Sequence, residues 1–214
     1  MKSVLLSTAY FPPLEYFAAI LKADCVYIES QENFQKQTYR TRAHIYAEGG
    51  LLALNLPARR AAGENDERTH HLPIKLIGLD YSKGWLHQHR TAITSAYGLT
   101  PFFDYYKDYF FDILDSRPAS LLELNTRILE LCLKLIGVEK EINFTEEYID
   151  KVPEEMLDLR TRINPKYKGP SLLEEWGLNR QYWQVFSSKH GFIPNLSILD
   201  LLCHEGPNSI SYLR

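Results

Sequence analysis

A pair of consecutive prolines, Pro12-Pro13, limits the start of this chain more than any other feature. The pair follows an apolar, β-prone run from Ser3 to Thr8. Proline lacks a backbone N–H, so the strand cannot continue through it, but the first turn of a helix tolerates it. We therefore predict a helix from Leu14 to Lys22 and a second strand from Cys25 to Ile28. This strand, turn, helix, strand order is typical of a βαβ unit whose turn faces a ligand crevice beyond the strand ends.

A dense polar segment follows the second strand, and we call residues 29–44 the polar block. It contains both signs of charge and neither glycine nor proline. One interpretation is a solvated loop or helix face. The other is the wall of a pocket for an anionic substrate, where cations lie beside carboxylates. The residues on which both interpretations depend are Glu29, Glu32, Asn33, Lys36, Tyr39, Arg40, Arg42 and His44.

The opening motif and the polar block together resemble the WbqC-like protein family. That family begins with a motif close to Gln-Pro-x-Tyr-Phe-Pro-x-x-x-Tyr-Phe, followed by an acidic strand end and a Lys-x-x-x-x-Arg-Asn-Arg-like block. Three positions differ, since Ser7-Thr8 replaces Gln-Pro and Thr41 replaces the Asn. The matching residues are Tyr10, Phe11, Pro12, Tyr16, Phe17, Asp24, Glu29, Lys36, Arg40, Arg42 and Ile45.

Further matches at 85–93, 97–103, Asn125 and 192–207 extend the resemblance over nearly the whole chain. The family is often associated with bacterial gene clusters for O-antigen and other surface polysaccharides. The resemblance therefore implies a role in surface-glycan biosynthesis.

Composition sets further bounds on the class of protein. The chain has 214 residues and a net charge of −3, which removes the bulk electrostatic argument for nucleic acid as a partner. Its three cysteines are odd in number and lie in apolar runs, which favours reduced thiols and a cytoplasmic location. The first apolar run is too short for a signal peptide, and no apolar stretch reaches 18 residues, so we expect no membrane span.

The remaining pattern predicts one mixed α/β domain over 1–214. A small sheet with a βαβ start occupies an N-terminal part of about 1–84, and a helical part of about 85–214 packs on it. We predict helices from Trp85, over 102–116, over 121–136 and over 196–203, with short strands over 51–56, 73–79 and 142–145. The charged segment 58–71 is interpreted as a mobile loop and 151–170 as largely irregular.

The candidate site residues come from the turn and the polar block. If Arg40 and Arg42 lie in a strand they share one face, and together with Lys36 they could bind a phosphate or carboxylate. We expect Tyr10 and Tyr16 to form the pocket wall with Glu29 beside them. The alternative is structural, with both arginines paired to Glu29 and Glu32.

Two histidines are candidate general bases. His89 shares a helical stripe with Trp85 and Ile93, and His44 follows the arginines. For each, a purely structural role is the alternative. His87 and His89 point about 200° apart on a helix, so we predict no metal site from this pair, and the sequence identifies no cofactor.

These observations give two hypotheses about function. The first is a transferase-type enzyme that acts on a small anionic, phosphate-bearing metabolite such as a nucleotide sugar. The second is a non-catalytic binding or assembly protein whose aromatic surface docks a partner. The oligomeric state is left open.

Overall fold

The computed structural model describes residues 2–60 and 72–214, and the predicted mixed α/β architecture is confirmed within those ranges. The strands are β1 (Ser3–Ser7), β2 (Cys25–Glu29), β3 (Arg42–Ala47), β4 (Gly50–Asn55), β5 (Ala58–Arg60), β6 (Ile77–Leu79), β7 (Ile142–Phe144) and β8 (Met156–Asp158). The helices are α1 (Leu14–Lys22), α2 (Trp85–Tyr97), α3 (Phe103–Asp115), α4 (Leu121–Leu135), α5 (Leu172–Glu175), α6 (Ser187–His190) and α7 (Ile198–Glu205). Short 3₁₀ segments cover Ile74–Leu76, Tyr81–Lys83 and Gly206–Tyr212.

A four-stranded sheet in the order β7-β2-β1-β8 contains the predicted βαβ unit, and every neighbouring pair in it is parallel. The central strand β1 is apolar throughout its middle, where Val4, Leu5 and Leu6 are fully buried, as expected for a parallel strand covered on both faces. The chain runs from β1 outward to β2 and β7, and then returns to add β8 on the other side of β1. Strand order therefore reverses at β1, and in open α/β sheets such a reversal opens a crevice at the carboxyl ends of the strands.

The double-proline turn connects β1 to α1 by way of a strained residue. Phe11 has a φ of 38°, in the left-handed region that non-glycine residues rarely occupy, at a cost on the order of 1–3 kcal/mol. Its ring is fully buried and packs edge-on against Phe110 of α3, with ring centroids 5.8 Å apart. Tyr16 in α1 donates from its hydroxyl to the Ser7 carbonyl at 2.9 Å and so fixes the helix against the end of β1. Packing of these rings holds the turn in its strained conformation.

The helical half is close to its prediction. The apolar stripes of α2, α3 and α4 contribute to one hydrophobic cluster that extends from Val4 to Leu213. Ser120 caps α4 by accepting a hydrogen bond from the Glu123 N–H. Within the described residues no helix is long and apolar enough to cross a membrane.

The thiols are unpaired, as predicted, although one of them is exposed. All three cysteines are free. Cys132 and Cys203 are buried, and burial raises the pKa of both thiols. Cys25 is exposed because it is the first residue of β2, at the amino end of the sheet.

Two segments differ from their interpretation as irregular. Residues 58–60 form β5, which pairs antiparallel with β6, while 61–71 of the expected mobile loop lie outside the described residues. Residues 156–158 form β8, which pairs with β1 at the edge of the parallel sheet. Each of these strands has three residues, too few for an alternating pattern to stand out from its charged surroundings.

Candidate functional site

A cleft of about 990 Å³ lies beyond the carboxyl ends of β2 and β8. Residues 31–38 and Arg40 of the polar block line it from one side. Side chains from the end of β8 and from the segments after β7 and β8 line it from the other, and these are Tyr148, Asp158, Arg160, Thr161, Asn164 and Lys166. The polar block is therefore a pocket wall in part, and the cleft lies where a parallel sheet with reversed strand order is expected to bind a ligand.

The polar block is anchored by a buried ion pair between Glu32 and Arg40. The guanidinium binds the carboxylate through two parallel hydrogen bonds, Nε to Oε1 at 2.8 Å and Nη2 to Oε2. Ser7, the last residue of β1, accepts from Arg40 Nη2 at 2.8 Å and donates to Glu32 Oε2 at 3.0 Å. Thr38 accepts from Arg40 Nη1 at 3.2 Å. Since the pair is almost fully buried, these bonds compensate for the desolvation of both charges.

A second buried network joins the other wall of the cleft to the end of β2. Glu29 is fully buried, and its Oε2 accepts from Arg160 Nη1 at 3.2 Å and from the Ile149 N–H at 3.0 Å. Its Oε1 accepts from the Thr145 hydroxyl at 2.6 Å. Arg160 also binds Asp158 through two parallel bonds, Nε to Oδ1 at 2.9 Å and Nη2 to Oδ2 at 2.8 Å. Burial raises the pKa of Asp158, but the hydrogen bonds from Arg160 outweigh it and the net shift is downward.

The two arginines predicted to act together do not share a face. Arg40 lies in the turn before β3 and is committed to Glu32, whereas Arg42 is the first residue of β3 and binds the Asn55 side chain at 2.8 Å. The expectation of a shared face was wrong because the strand begins only at Arg42. Arg42 lines a smaller cavity of about 220 Å³, and Lys36 lines both this cavity and the cleft.

Two lysines carry positive charge on the walls of the cleft. Lys36 and Lys166 are exposed, and neither ammonium group has an ion-pair or hydrogen-bond partner in the part of the chain that the structure describes. Next to Lys36, Gln37 has a φ of 59°, a second strained residue and one on the cleft wall. Strained backbone is concentrated at binding sites, where surrounding structure holds it in place.

The structure places the two predicted wall tyrosines in the core rather than on the cleft. Tyr10 is fully buried, and its hydroxyl lies 2.9 Å from His89 Nδ1. Tyr16 is also buried and lines a separate cavity of about 10 Å³ with Ser7 and Arg40. Burial raises the pKa of both phenols. Of the six predicted binding residues only Lys36 and Arg40 line the cleft, and Glu29 supports it from beneath through Arg160.

The two candidate bases, His89 and His44, also lie away from the residues that line the cleft. His89 is buried between Tyr10 and Trp85, and burial lowers its pKa to about 4, although a hydrogen bond with the Asn55 backbone opposes the shift. His44 lies in β3 with its ring edge-on to Tyr39, and burial and the charge of Arg42 lower its pKa. Both sites match the structural alternative more closely than an exposed general base.

Sequence reasoning missed the second wall of the cleft, although a signal was present. The tripeptide Arg-Thr-Arg occurs at 40–42 and again at 160–162. In each copy the first arginine is buried in an ion pair with an acidic residue that lies at or after the end of β2, while the second lies further out. Asn125 was also singled out, and its amide donates to the Arg40 carbonyl at 2.9 Å, so α4 helps to hold the polar block.

Among the described residues, side chains suited to a metal ion are not grouped together. No cluster of three or more His, Cys, Asp or Glu side chains that could hold one exists among residues 2–60 and 72–214. The cleft itself offers cations, amides and two carboxylates that are already bound to arginine.

Comparison with known proteins identifies the family. A family model described as the WbqC-like protein family matches residues 8–212. The chain belongs to the WbqC-like protein family. It is also 24% identical over 235 residues to "Uncharacterized protein Rv1507c" of Mycobacterium tuberculosis (strain ATCC 25618 / H37Rv), an alignment that covers 100% of this chain and 97% of the relative. No solved structure gives a significant match.

Within this WbqC-like chain the family match includes both walls of the cleft. The departure at Ser7-Thr8 falls where β1 ends against the buried Glu32–Arg40 pair.

Loss of the buried arginine should be far more costly than loss of its neighbour. We expect Arg40→Met to lower the free energy of unfolding by about 3–5 kcal/mol, because it leaves the Glu32 carboxylate buried without a partner. The matched control Arg42→Met removes an exposed bond to Asn55 and should cost less than about 1 kcal/mol. Urea unfolding of both variants measures the difference, and equal losses would contradict a structural role for Arg40.

His89 should make stability depend on pH in a defined window. Its pKa in the folded state is about 4 against an ordinary value of 6.5, so the unfolded chain binds the proton more readily. The stabilising contribution is complete above pH 6.5 and is lost as the pH falls towards 4. Between pH 7.5 and 5 the wild type should lose about 2 kcal/mol more than His89→Gln, whose amide does not titrate. Urea unfolding of the two proteins at both pH values measures this difference. An equal loss of unfolding free energy in both would contradict the lowered pKa of His89.

Proposed function

We propose that the cleft binds a small anionic, phosphate-bearing metabolite and that the protein is a transferase-type enzyme acting on it. A nucleotide sugar used in bacterial surface-polysaccharide biosynthesis is the substrate that the family resemblance implies. A net charge of −3 favours a small ligand over nucleic acid. Three unpaired cysteines support a reducing compartment, and we propose a cytoplasmic location.

The observation that carries this proposal is the pair of unpaired ammonium groups on Lys36 and Lys166 in a cleft at the carboxyl edge of a parallel sheet. The two buried arginines are already paired with three carboxylates, those of Glu32, Glu29 and Asp158. Among the described residues that line the cleft, the lysines are therefore the cations that remain for a ligand. Lysine ammonium groups bind phosphate as mobile point charges, which suits a ligand that enters and leaves.

In a transfer reaction these lysines would neutralise the negative charge that develops on a phosphate leaving group. Arg40 and Arg160 act as a rigid support for the two walls, and Glu29 orients Arg160. We do not assign the proton transfer to His44 or His89. A role in positioning these walls is assigned to the predicted site residues that lie off the cleft, which are Tyr10, Tyr16, Arg42, His44 and His89.

A non-catalytic binding protein is the second candidate, and one feature of the cleft favours it. Among residues 2–60 and 72–214, no histidine lines the cleft, and the two carboxylates that do, on Glu32 and Asp158, are both bonded to arginine. A carboxylate held in this way is a weak general base, since arginine stabilises its ionised form. Binding would then be the whole activity, with a partner acting on the bound ligand.

Replacing either lysine should weaken anion binding without harm to the fold. We expect Lys36→Ala and Lys166→Ala each to weaken pyrophosphate binding about tenfold in calorimetric titration, because each removes one charge-assisted contact. Lys134→Ala is the matched control, since Lys134 is exposed on α4 and lines a different cavity. Equal affinities for pyrophosphate in all three variants would contradict the proposed anion site.

The same proteins can separate the two candidate functions. Release of nucleotide from a panel of nucleotide sugars, dependent on Lys36 and Lys166, supports a transferase. Tight binding of those compounds without turnover favours the binding protein.

A further inference from the structure

We propose that the cleft holds a nucleoside phosphate whose planar base stacks on the ring of Tyr148. This inference rests on the proposed function, because it assigns the non-phosphate part of the same ligand. Tyr148 lies between β7 and β8 and lines the wall opposite Lys36. Nothing in the resemblance to the WbqC-like family singles out this residue.

Tyr148 presents a large aromatic surface inside a polar cleft. It is 54% exposed although it packs on the buried side chain of Arg160. The guanidinium carbon of Arg160 lies 5.0 Å from the centroid of its ring. One face of the ring is therefore occupied by Arg160, and much of the remaining ring surface is open to a ligand.

The support behind the ring is rigid. Arg160 is 8% exposed and is held by the Asp158 carboxylate through two parallel hydrogen bonds and by Glu29 through a third. Its position is thus fixed before any ligand arrives. A ring that rests on such a group has less conformational freedom to lose when a second ring stacks on it, and preorganisation of this kind increases affinity.

The cation behind the ring also selects what stacks in front of it. A guanidinium over one face of Tyr148 draws electron density from the π system. Sugars pack on aromatic rings through C–H groups that need an electron-rich face, so this withdrawal weakens them. Planar nucleobases stack by offset overlap of two π systems and tolerate an electron-poor partner.

Polar groups of the right type lie around the same cleft. Asn33 and Gln35 are exposed, and within the described residues their side-chain amides have no hydrogen-bond partner. The side-chain oxygen Oδ1 of Asn164 accepts a hydrogen bond from the backbone N–H of Lys166, which leaves the side-chain NH₂ group for a ligand. A carboxamide offers a donor and an acceptor side by side, as the edge of a base requires.

Calorimetric titration of the full-length protein with ADP, UDP, glucose 1-phosphate and inorganic pyrophosphate tests the assignment. In the wild type, at least one nucleoside diphosphate should bind about tenfold or more tightly than pyrophosphate. Tyr148→Ala should remove that advantage and leave pyrophosphate binding unchanged, while Tyr148→Phe should retain it. Tyr167→Ala is the matched control, because Tyr167 is also exposed and stacked on an arginine, Arg162, but does not line the cleft.

The outcomes separate this inference from the function on which it depends. If ADP and UDP bind no more tightly than pyrophosphate, or keep their advantage in Tyr148→Ala, the stacking role is overturned while the anion site stands. A Tyr148-dependent preference for glucose 1-phosphate over both nucleotides also overturns it, in favour of a sugar. If none of the four compounds binds, the proposed function fails together with the inference.

Discussion

The buried pair between Glu32 and Arg40 is the interaction on which the arrangement of this protein depends. It ties the polar block to Ser7 at the end of β1, and so converts a charged, irregular segment into a wall with a fixed position. Two desolvated charges are stable only when each is paired and hydrogen-bonded, and the hydroxyls of Ser7 and Thr38 complete that requirement. The pair fixes residues 31–38 as a wall of the cleft, together with the buried side chain of Phe34.

The opposite wall follows the same principle with different partners. Glu29 closes β2 and binds Arg160, which in turn binds Asp158 at the end of β8. Both networks thus originate at the carboxyl edge of one parallel sheet, and each pairs its own charges locally. Among the described residues the unpaired cations of the cleft are its two lysines, so a site built almost entirely from ion pairs can still attract an anion.

Most of the fold could be predicted from the sequence, and less of the site. Pro12-Pro13 is decisive because it ends β1 and starts α1 at a single point, and α4 is evident from its leucine spacing and its Ser120 cap. β8 could not be found, because three residues with an exposed Leu157 carry no period and pair only through long-range contacts with β1. Arg160 could not be predicted as a site residue for the same reason, since its role depends on where β8 lies in the sheet. Tyr10 was assigned to a wall because an aromatic residue beside a turn can face either way, and only tertiary packing decides.

A crystal structure of the protein with bound pyrophosphate tests the central claim most directly. We predict one pyrophosphate in the cleft, with oxygens within hydrogen-bond distance of the Nζ atoms of Lys36 and Lys166. The Glu32–Arg40 pair should be unchanged beneath it, because that pair supports the site and does not bind the ligand. Pyrophosphate bound instead to Arg40 after displacement of Glu32, or bound only outside the cleft, would contradict the account.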